Sequence, residues 1–423
     1  MFLPLRYPLA NLAARRTRTL LTVGVVALVV VATTLFAALV SSLKQTLVST
    51  GHPRNLIVLR KGSTNDGSSS LPLEAFQALR WFDGVARGAD GEPLASPELV
   101  VQPFFRTTGG GRENVLVRGV EPVALRVHDE VRIVEGRMFA PSSGEAIVGS
   151  GAAGRYVGAR VGDELAFGRG RWRVVGRFEA GGSSFESEVW VDARELANDA
   201  KRPVPYSGVR LRVADGADRD ALARRIGADP RWALEAKPET DYYAAQAESA
   251  NVFYLIVIGL AVLAGVGAAF GATNTLYAAV QARRAEIGTL RALGFPRVAI
   301  LASFLVEALV VALLGFALGA ALAAGLGRVV SSALGGIAFG AATFTTNVVQ
   351  LRVGPGDLLL ALGLALAIGL VGGFFPASRA ARLRPVEALR KAQVALGPGA
   401  EGGAGRHLRG AHRSRRRGPR APV

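Results

Sequence analysis

NVFYLIVIGLAVLAGVGAAFGATNTLYAAVQARRAEIGTLRALGFPR, residues 251–297, is the stretch whose reading decides the fold. Its first 26 positions, residues 251–276, carry no charge. At about 1.5 Å of rise per residue, a helix of that length crosses the ~30 Å hydrocarbon layer of a bilayer. A short polar segment with four arginines and one glutamate follows, and a second apolar run begins at once. The stretch therefore predicts two membrane-crossing helices joined by a compact charged loop.

Working outward, the chain has 423 residues, is 50% hydrophobic, and holds more than one apolar run longer than a span requires, which places it among membrane proteins. The net charge of +17 suggests nucleic acid until it is located. Residues 44–249 hold 28 basic and 28 acidic residues, whereas the remainder holds 22 basic and 5 acidic. All the excess lies beside the apolar runs and in the C-terminal tail, where it is a topology signal before it is a nucleic-acid signal. There is no cysteine, hence no disulfide framework, thiol nucleophile or thiolate metal site.

Residues 1–19 carry Arg6, Arg15, Arg16 and Arg18 and no acid, with leucines near helical spacing, which suits an amphipathic helix in the headgroup layer. The rival reading is the start of a signal peptide. The following run, Leu20 to Val40, exceeds a cleavable apolar region, so residues 20–43 are expected to be a retained first span. Residues 44–249 change character, with short β-rich runs at 115–120, 131–134, 145–149, 164–168, 172–178 and 189–192 punctuated by turn residues. Flanking segments read as strand at Leu56–Leu59, Val209–Val213 and Trp232–Leu234, and as helix at Leu73–Arg80 and Asp218–Ile226. All four tryptophans fall here, so packing rather than a membrane belt is their expected role. We expect two lobes, a mixed α/β base from 45–95 and 205–249 and a β-rich lobe over 97–200. Further spans are expected at 250–277, 298–327 and 356–377, with a cytoplasmic loop at 278–297 and an outer loop at 328–355.

Of the 22 basic residues outside 44–249, 20 fall on one side of this four-span arrangement. The positive-inside rule then puts both termini and the 278–297 loop in the cytoplasm, and the 44–249 domain outside. The fold expected is an α-helical membrane protein with four transmembrane helices, one plus three, and a large mixed α/β extracytoplasmic domain. Residues 378–423 form a basic cytoplasmic tail, too poor in apolar residues beyond about 396 to fold.

Each later span carries a G-x-x-x-G: Gly267/Gly271, Gly315/Gly319 and Gly369/Gly373. Absent side chains at i and i+4 let backbones approach closely, within the chain or between two copies. Glu307 falls inside the third span, a costly place for a carboxylate. A relay contact between helices and a group packed against an arginine near the span's end both fit. In the loop, Arg283, Arg284 and Glu286 share one side of a short helix, with Ile287, Leu290 and Leu293 as apolar positions. Gly294 is placed to end that helix and Pro296 to stop it. Docking into a groove of a cytoplasmic partner and resting on the bilayer surface both remain open.

Gly149-Ser150-Gly151-Ala152-Ala153-Gly154 fits a dinucleotide fingerprint but lacks the acidic residue about 20 positions on within a βαβ unit, so a tight turn is expected. There is no P-loop motif and no G-x-S-x-G, and His52, His128, His407 and His412 form no ligand spacing. We therefore expect no catalytic, cofactor-binding or metal site in this chain.

Several of these segments resemble the ABC-transporter permeases of the MacB/FtsX type, including the DevC-like and lipoprotein-release permeases. Residues 11–31 are similar to that family's N-terminal elbow and first span, 117–178 to its outer domain, and 374–390 to its last span and cytoplasmic ending. The most specific likeness is 283–319, RRAEIGTLRALGFPRVAI through FALG, which resembles the coupling loop and following helix. The resemblance implies a MacB periplasmic-core-like outer domain and a permease subunit of the cell membrane. It implies a dimer with a second copy or paralogue, driven by a P-loop ATPase in a partner chain that binds the ATP and magnesium. On that likeness Arg283, Arg284, Glu286, Ile287, Gly288, Leu290, Arg291, Leu293 and Gly294 couple to the ATPase and Glu307 lies in the relay. Efflux or extraction of a substrate, with a possible periplasmic adaptor, is the function implied. An FtsX-like scaffold that activates an extracytoplasmic hydrolase without transport is the alternative.

Overall fold

The computed structural model describes residues 16–248, 250–334, 336–340 and 346–383. The readings for residues 1–15, for part of the 328–355 connection and for the tail beyond 383 lie outside the described residues. Among the described residues four helices are long and apolar enough to cross a membrane. The chain divides into two compact units, one of Met1–Val26, Gly265–Gly315 and Ala365–Val423, the other of Ala27–Ala264 and Phe316–Leu364.

The larger unit contains the mixed α/β domain. In chain order its elements are β1 (Asn55–Arg60), α2 (Leu73–Leu79), β2 (Ala95–Val101), β3 (Phe104–Arg106), β4 (Arg112–Asn114), β5 (Val117–Val120) and α3 (Ala124–Val127). There follow β6 (Arg132–Gly136), β7 (Glu145–Gly149), β8 (Glu164–Phe167), β9 (Gly170–Glu179), β10 (Val189–Asp192) and α4 (Ala193–Asp199). The domain closes with β11 (Gly208–Arg212), α5 (Arg219–Gly227), β12 (Leu234–Pro238) and α6 (Glu239–Glu248). α1 (Arg16–Val48) precedes them all.

One sheet of ten strands runs through the domain in the order β12-β1-β11-β2-β5-β10-β7-β9-β6, with β8 on β9. Where two lobes are expected from the sequence, the sheet is continuous, and β2 is the reason. Its first half pairs with β11, from Ala95↔Leu211 to Glu98↔Gly208, and its second half with β5, from Leu99↔Gly119 to Val101↔Val117. This strand escapes a pattern reading because Pro97 and Glu98 interrupt its apolar run. The cores on the sheet are nonetheless separate. Leu56, Val58, Phe76, Leu79, Val209 and Leu211 form one, while Leu99, Phe105, Val148, Tyr156, Trp172 and Val174 belong to another. After β7 the chain enters a turn at 150–155, not a helix. A side chain at Gly149 would place its Cβ 2.3 Å from the Glu186 carbonyl oxygen, so that glycine permits a close backbone approach.

The sheet carries a buried ionic cluster that sequence reading missed. Arg118 on β5 is 1% exposed; its Nε donates to Glu188 at 2.7 Å and its Nη2 to the same carboxylate at 2.6 Å. Its Nη1 donates to Glu98 Oε2 at 2.8 Å. Arg210 on β11 lies 2.8 Å from that oxygen and donates to Asp66 at 3.0 Å. His128 Nε2 is 2.7 Å from the other oxygen of Glu98. Burial raises the cost of charge on Glu98, but Arg210, His128 and Arg118 outweigh it and hold this carboxyl far below its usual range. Burial likewise opposes charge on His128, yet Glu98 and then Glu130 push it up to about 9. Buried Glu239, at the start of α6, accepts hydrogen bonds from Asn55 Nδ2 at 2.9 Å and the His52 amide at 3.1 Å. The cluster thus fastens the sheet to the helix that closes the domain.

Candidate functional site

The remaining elements are α7 (Ala250–Ala282), α8 (Arg284–Ala292), α9 (Arg297–Leu334), β13 (Ile337–Gly340), β14 (Thr346–Val349) and α10 (Pro355–Ala381). The candidate site is α8 with its supports, all within the unit that contains residues 265–315 and 365–383.

α8 is nine residues long and begins after a single break in the helix at Arg283. That arginine does not face outward. Its side chain is 7% exposed, and its Nε donates to Glu286 Oε2 at 3.0 Å. Its Nη1 donates to Glu307 Oε2 at 3.2 Å, and its guanidinium stands 5.2 Å over the Phe304 ring. Of the two readings of Glu307, the structure realises the arginine contact, which also couples α9 to the start of α8. Two opposite charges joined by a direct hydrogen bond in apolar surroundings lower the cost of keeping either one there.

Ile287 is 1% exposed and packs with Val280, Ile300, Phe304, Ala377 and Ala380, while Leu290 is partly buried against the same cluster. Gly288 is buried as well. The helix ends at Gly294 with φ +94°, a left-handed conformation that favours glycine. The Gly294 amide bonds the Arg291 carbonyl at 3.2 Å and the Phe295 amide bonds that of Leu290 at 3.2 Å, the Schellman pattern. Phe295 and Leu290 share the hydrophobic cluster, as that motif prefers. Arg291 Nη1 donates to the Phe295 carbonyl at 2.9 Å, which clamps the turn after the helix.

The surface α8 presents is therefore narrower than its sequence suggests. Ala285, Glu286, Thr289, Ala292, Leu293 and Gly294 are exposed, Leu293 to 70%; Arg284 and Arg291 are half-buried. Arg283, Ile287 and Gly288 are turned inward and support the helix.

The spans' glycines divide by partner. A Cβ at Gly315 would come within 2.6 Å of Val26, and one at Gly319 within 2.7 Å of Val30, so α9 meets α1 there. A Cβ at Gly369 would come within 2.8 Å of Ala312 and one at Gly373 within 2.6 Å of Ala308, so these glycines seat α10 on α9. Gly372, outside any G-x-x-x-G of the sequence reading, seats α10 on α7, since a Cβ there would come within 2.9 Å of Ala272. A Cβ at Gly267 or Gly271 would meet nothing within 4 Å among the described residues, so both lie on an open face of α7. Pro376 stands inside α10 and has no amide to offer the Gly372 carbonyl. The Thr273 hydroxyl donates to that carbonyl at 3.0 Å and restores its bond from the neighbouring helix. Among the described residues no group of three or more His, Cys, Asp or Glu could hold a metal ion.

Two family models match this chain. The one described as MacB-like periplasmic core domain matches residues 19–229, and the one described as FtsX-like permease C-terminal matches residues 257–385. Among curated relatives, the Macrolide export ATP-binding/permease protein MacB 1/2 of Paracoccus denitrificans is 32% identical over 253 residues, which is 55% of this chain and 35% of that protein. The Pyoverdine export ATP-binding/permease protein PvdT of Pseudomonas entomophila is 28% identical over 301 residues, which is 61% of this chain and 40% of that protein. This chain spans less than half the length of either. The crystal structure of the periplasmic region of MacB from Actinobacillus actinomycetemcomitans aligns with 47% of this chain and 94% of its own, at 9% identity and a TM-score of 0.36.

Proposed function

The chain belongs to the MacB/FtsX-type ABC transporter permeases, and from that premise we propose that it transmits the work of a P-loop ATPase outside these residues to its own α/β domain, driving export. The observation that carries this reading is the build of α8. It is capped by Gly294, packed through Ile287 and Leu290, and linked by Arg283 to Glu307 in α9, while Leu293 stands exposed. A short helix held on three sides and open on the fourth can take a push without bending.

In this reading the ATPase meets Ala285, Glu286, Thr289, Ala292 and Leu293, while Arg283, Ile287, Leu290 and Glu307 carry the load inward. The charge bias places α8 and both termini in the cytoplasm and the α/β domain outside, in a multi-pass protein of the cytoplasmic membrane. The domain's separate cores on one sheet suit two lobes that move about β2. The open glycine face of α7, at Gly267 and Gly271, suits a second copy or paralogue in a dimer. The chain itself performs no catalysis and binds no cofactor, and ATP with magnesium is held by the ATPase. Relatives named for macrolide and pyoverdine export favour efflux of such compounds over activation of a hydrolase.

The test is association with the ATPase in membranes. Leu293→Asp on the exposed turn should weaken co-purification about tenfold, as loss of one central apolar contact does. Unchanged co-purification of Leu293→Asp, with the chain still folded, would overturn the proposal.

A further inference from the structure

Where α1, α7, α9 and α10 converge, within the unit containing residues 16–26, 265–315 and 365–383, they leave a cleft that the chain's own side chains do not fill. It is partly open to the surroundings, and counted together with that open space it spans about 610 Å³. Its walls are mainly apolar and include Val26, Ala272, Val311, Ala312 and Ile368, with Arg18 and Thr22 on the α1 side. The cause is the same small-residue packing that draws the helices together. Gly315 and Gly369 bring backbones into contact, and the alanines beside them are too short to fill the gap as the helices diverge.

An unfilled apolar gap forfeits dispersion contacts along its walls. For helices that cross a bilayer, the flexible apolar material always at hand is the lipid chain. The charges on the cleft are unequal. Glu307 borders it but is bound to Arg283 at 3.2 Å. Arg18 is exposed and has no acidic partner among the described residues. A guanidinium presents a rigid fork of donors that matches phosphate geometry, and a basic residue at the end of a span favours anionic headgroups. We propose that the cleft holds one acyl chain of an anionic phospholipid whose phosphate is bound by Arg18.

The inference requires only that the four helices cross a bilayer, and it stands or falls apart from any coupling role of α8. The test uses the full chain purified in detergent and loaded with phosphatidylglycerol or phosphatidylcholine of matched chains, with retained lipids counted by native mass spectrometry. Phosphatidylglycerol should be retained about fivefold over phosphatidylcholine, the preference that one cationic contact supplies. Arg18→Gln should bring that ratio near one, and Val311→Phe, which fills the cleft, should remove one bound lipid whatever its headgroup. Because Val311→Phe can also disturb folding, a second measurement uses the absence of native cysteine. A fluorophore on Thr22→Cys should be quenched by lipids carrying a nitroxide on the acyl chain. Equal retention of the two lipids by the unmodified chain, a preference that survives Arg18→Gln, or no quenching at the Thr22 label would each overturn the proposal.

Discussion

Raising the pH from 6.5 to 9.5 should destabilise the α/β domain through one histidine. His128 is fully buried, its Nε2 2.7 Å from Glu98 and its Nδ1 3.7 Å from Glu130, and Glu239 adds a further raising influence. The charged groups around it also include Arg118 and Arg210, which share Glu98. Folding pushes the imidazole up from 6.5 to about 9. A group whose folded pKa is raised stabilises in full below its unfolded value, and that contribution is lost as pH rises through the folded one. Between the two, the native state holds one more proton than the unfolded chain, so stability falls by about 1.4 kcal/mol per pH unit. Across the interval the loss amounts to about 3 kcal/mol. All four tryptophans lie in this domain, and the Trp190 ring is centred 5.7 Å from His128, so tryptophan emission during urea unfolding of the detergent-solubilised chain follows it directly. His128→Gln, which cannot titrate, should be less stable at pH 6.5 and lose the slope. A flat profile from pH 6.5 to 9.5 in the unmodified chain, or the same slope in His128→Gln, would refute the reasoning.

Other perturbations test the remaining contacts. Arg118→Met leaves Glu188 buried without its main partner and takes from Glu98 one of three, so it should cost about 3–5 kcal/mol in the same unfolding assay, whereas a loss below about 1 kcal/mol would show that water reaches the cluster. Thr273→Val keeps the volume but strips the Gly372 carbonyl of its donor; a drop of about 1 kcal/mol in helix-bundle stability, read by thermal melting in detergent, is expected. Gly373→Leu must push α10 away from Ala308, so it should destabilise by about 1–3 kcal/mol, while Gly267→Leu, on the open face of α7, should leave the isolated chain's melting unchanged.

Much of the α8 site is legible in sequence because its signals are local. An uncharged run of span length, a glycine where the backbone turns left-handed and a proline two residues later act within a few positions of themselves. Ile287 and Leu290 reveal their packing face in the same way. The inward turn of Arg283 is not legible, since an arginine next to a span reads as a solvated charge until its carboxylate is found 24 residues on. The buried arginines of β5 and β11 sit in apolar runs with no motif around them, and the carboxylate that Arg118 grips most closely, Glu188, is 70 residues away.

The sequence by itself determined the four apolar stretches, the charge bias beside them, and the short helix with its stop, because hydrophobic length, charge and backbone preference are properties of neighbouring residues. Only the tertiary structure decided that one sheet runs through the α/β domain and that Glu307 answers Arg283. It also decided that Gly369 and Gly373 meet α9 while Gly372 meets α7, and that Thr273 completes the bond Pro376 cannot make. Those choices depend on which surfaces pack against which, and a side chain's partner across 99 residues of chain is selected by the fit of whole helices and strands rather than by anything beside it in the sequence.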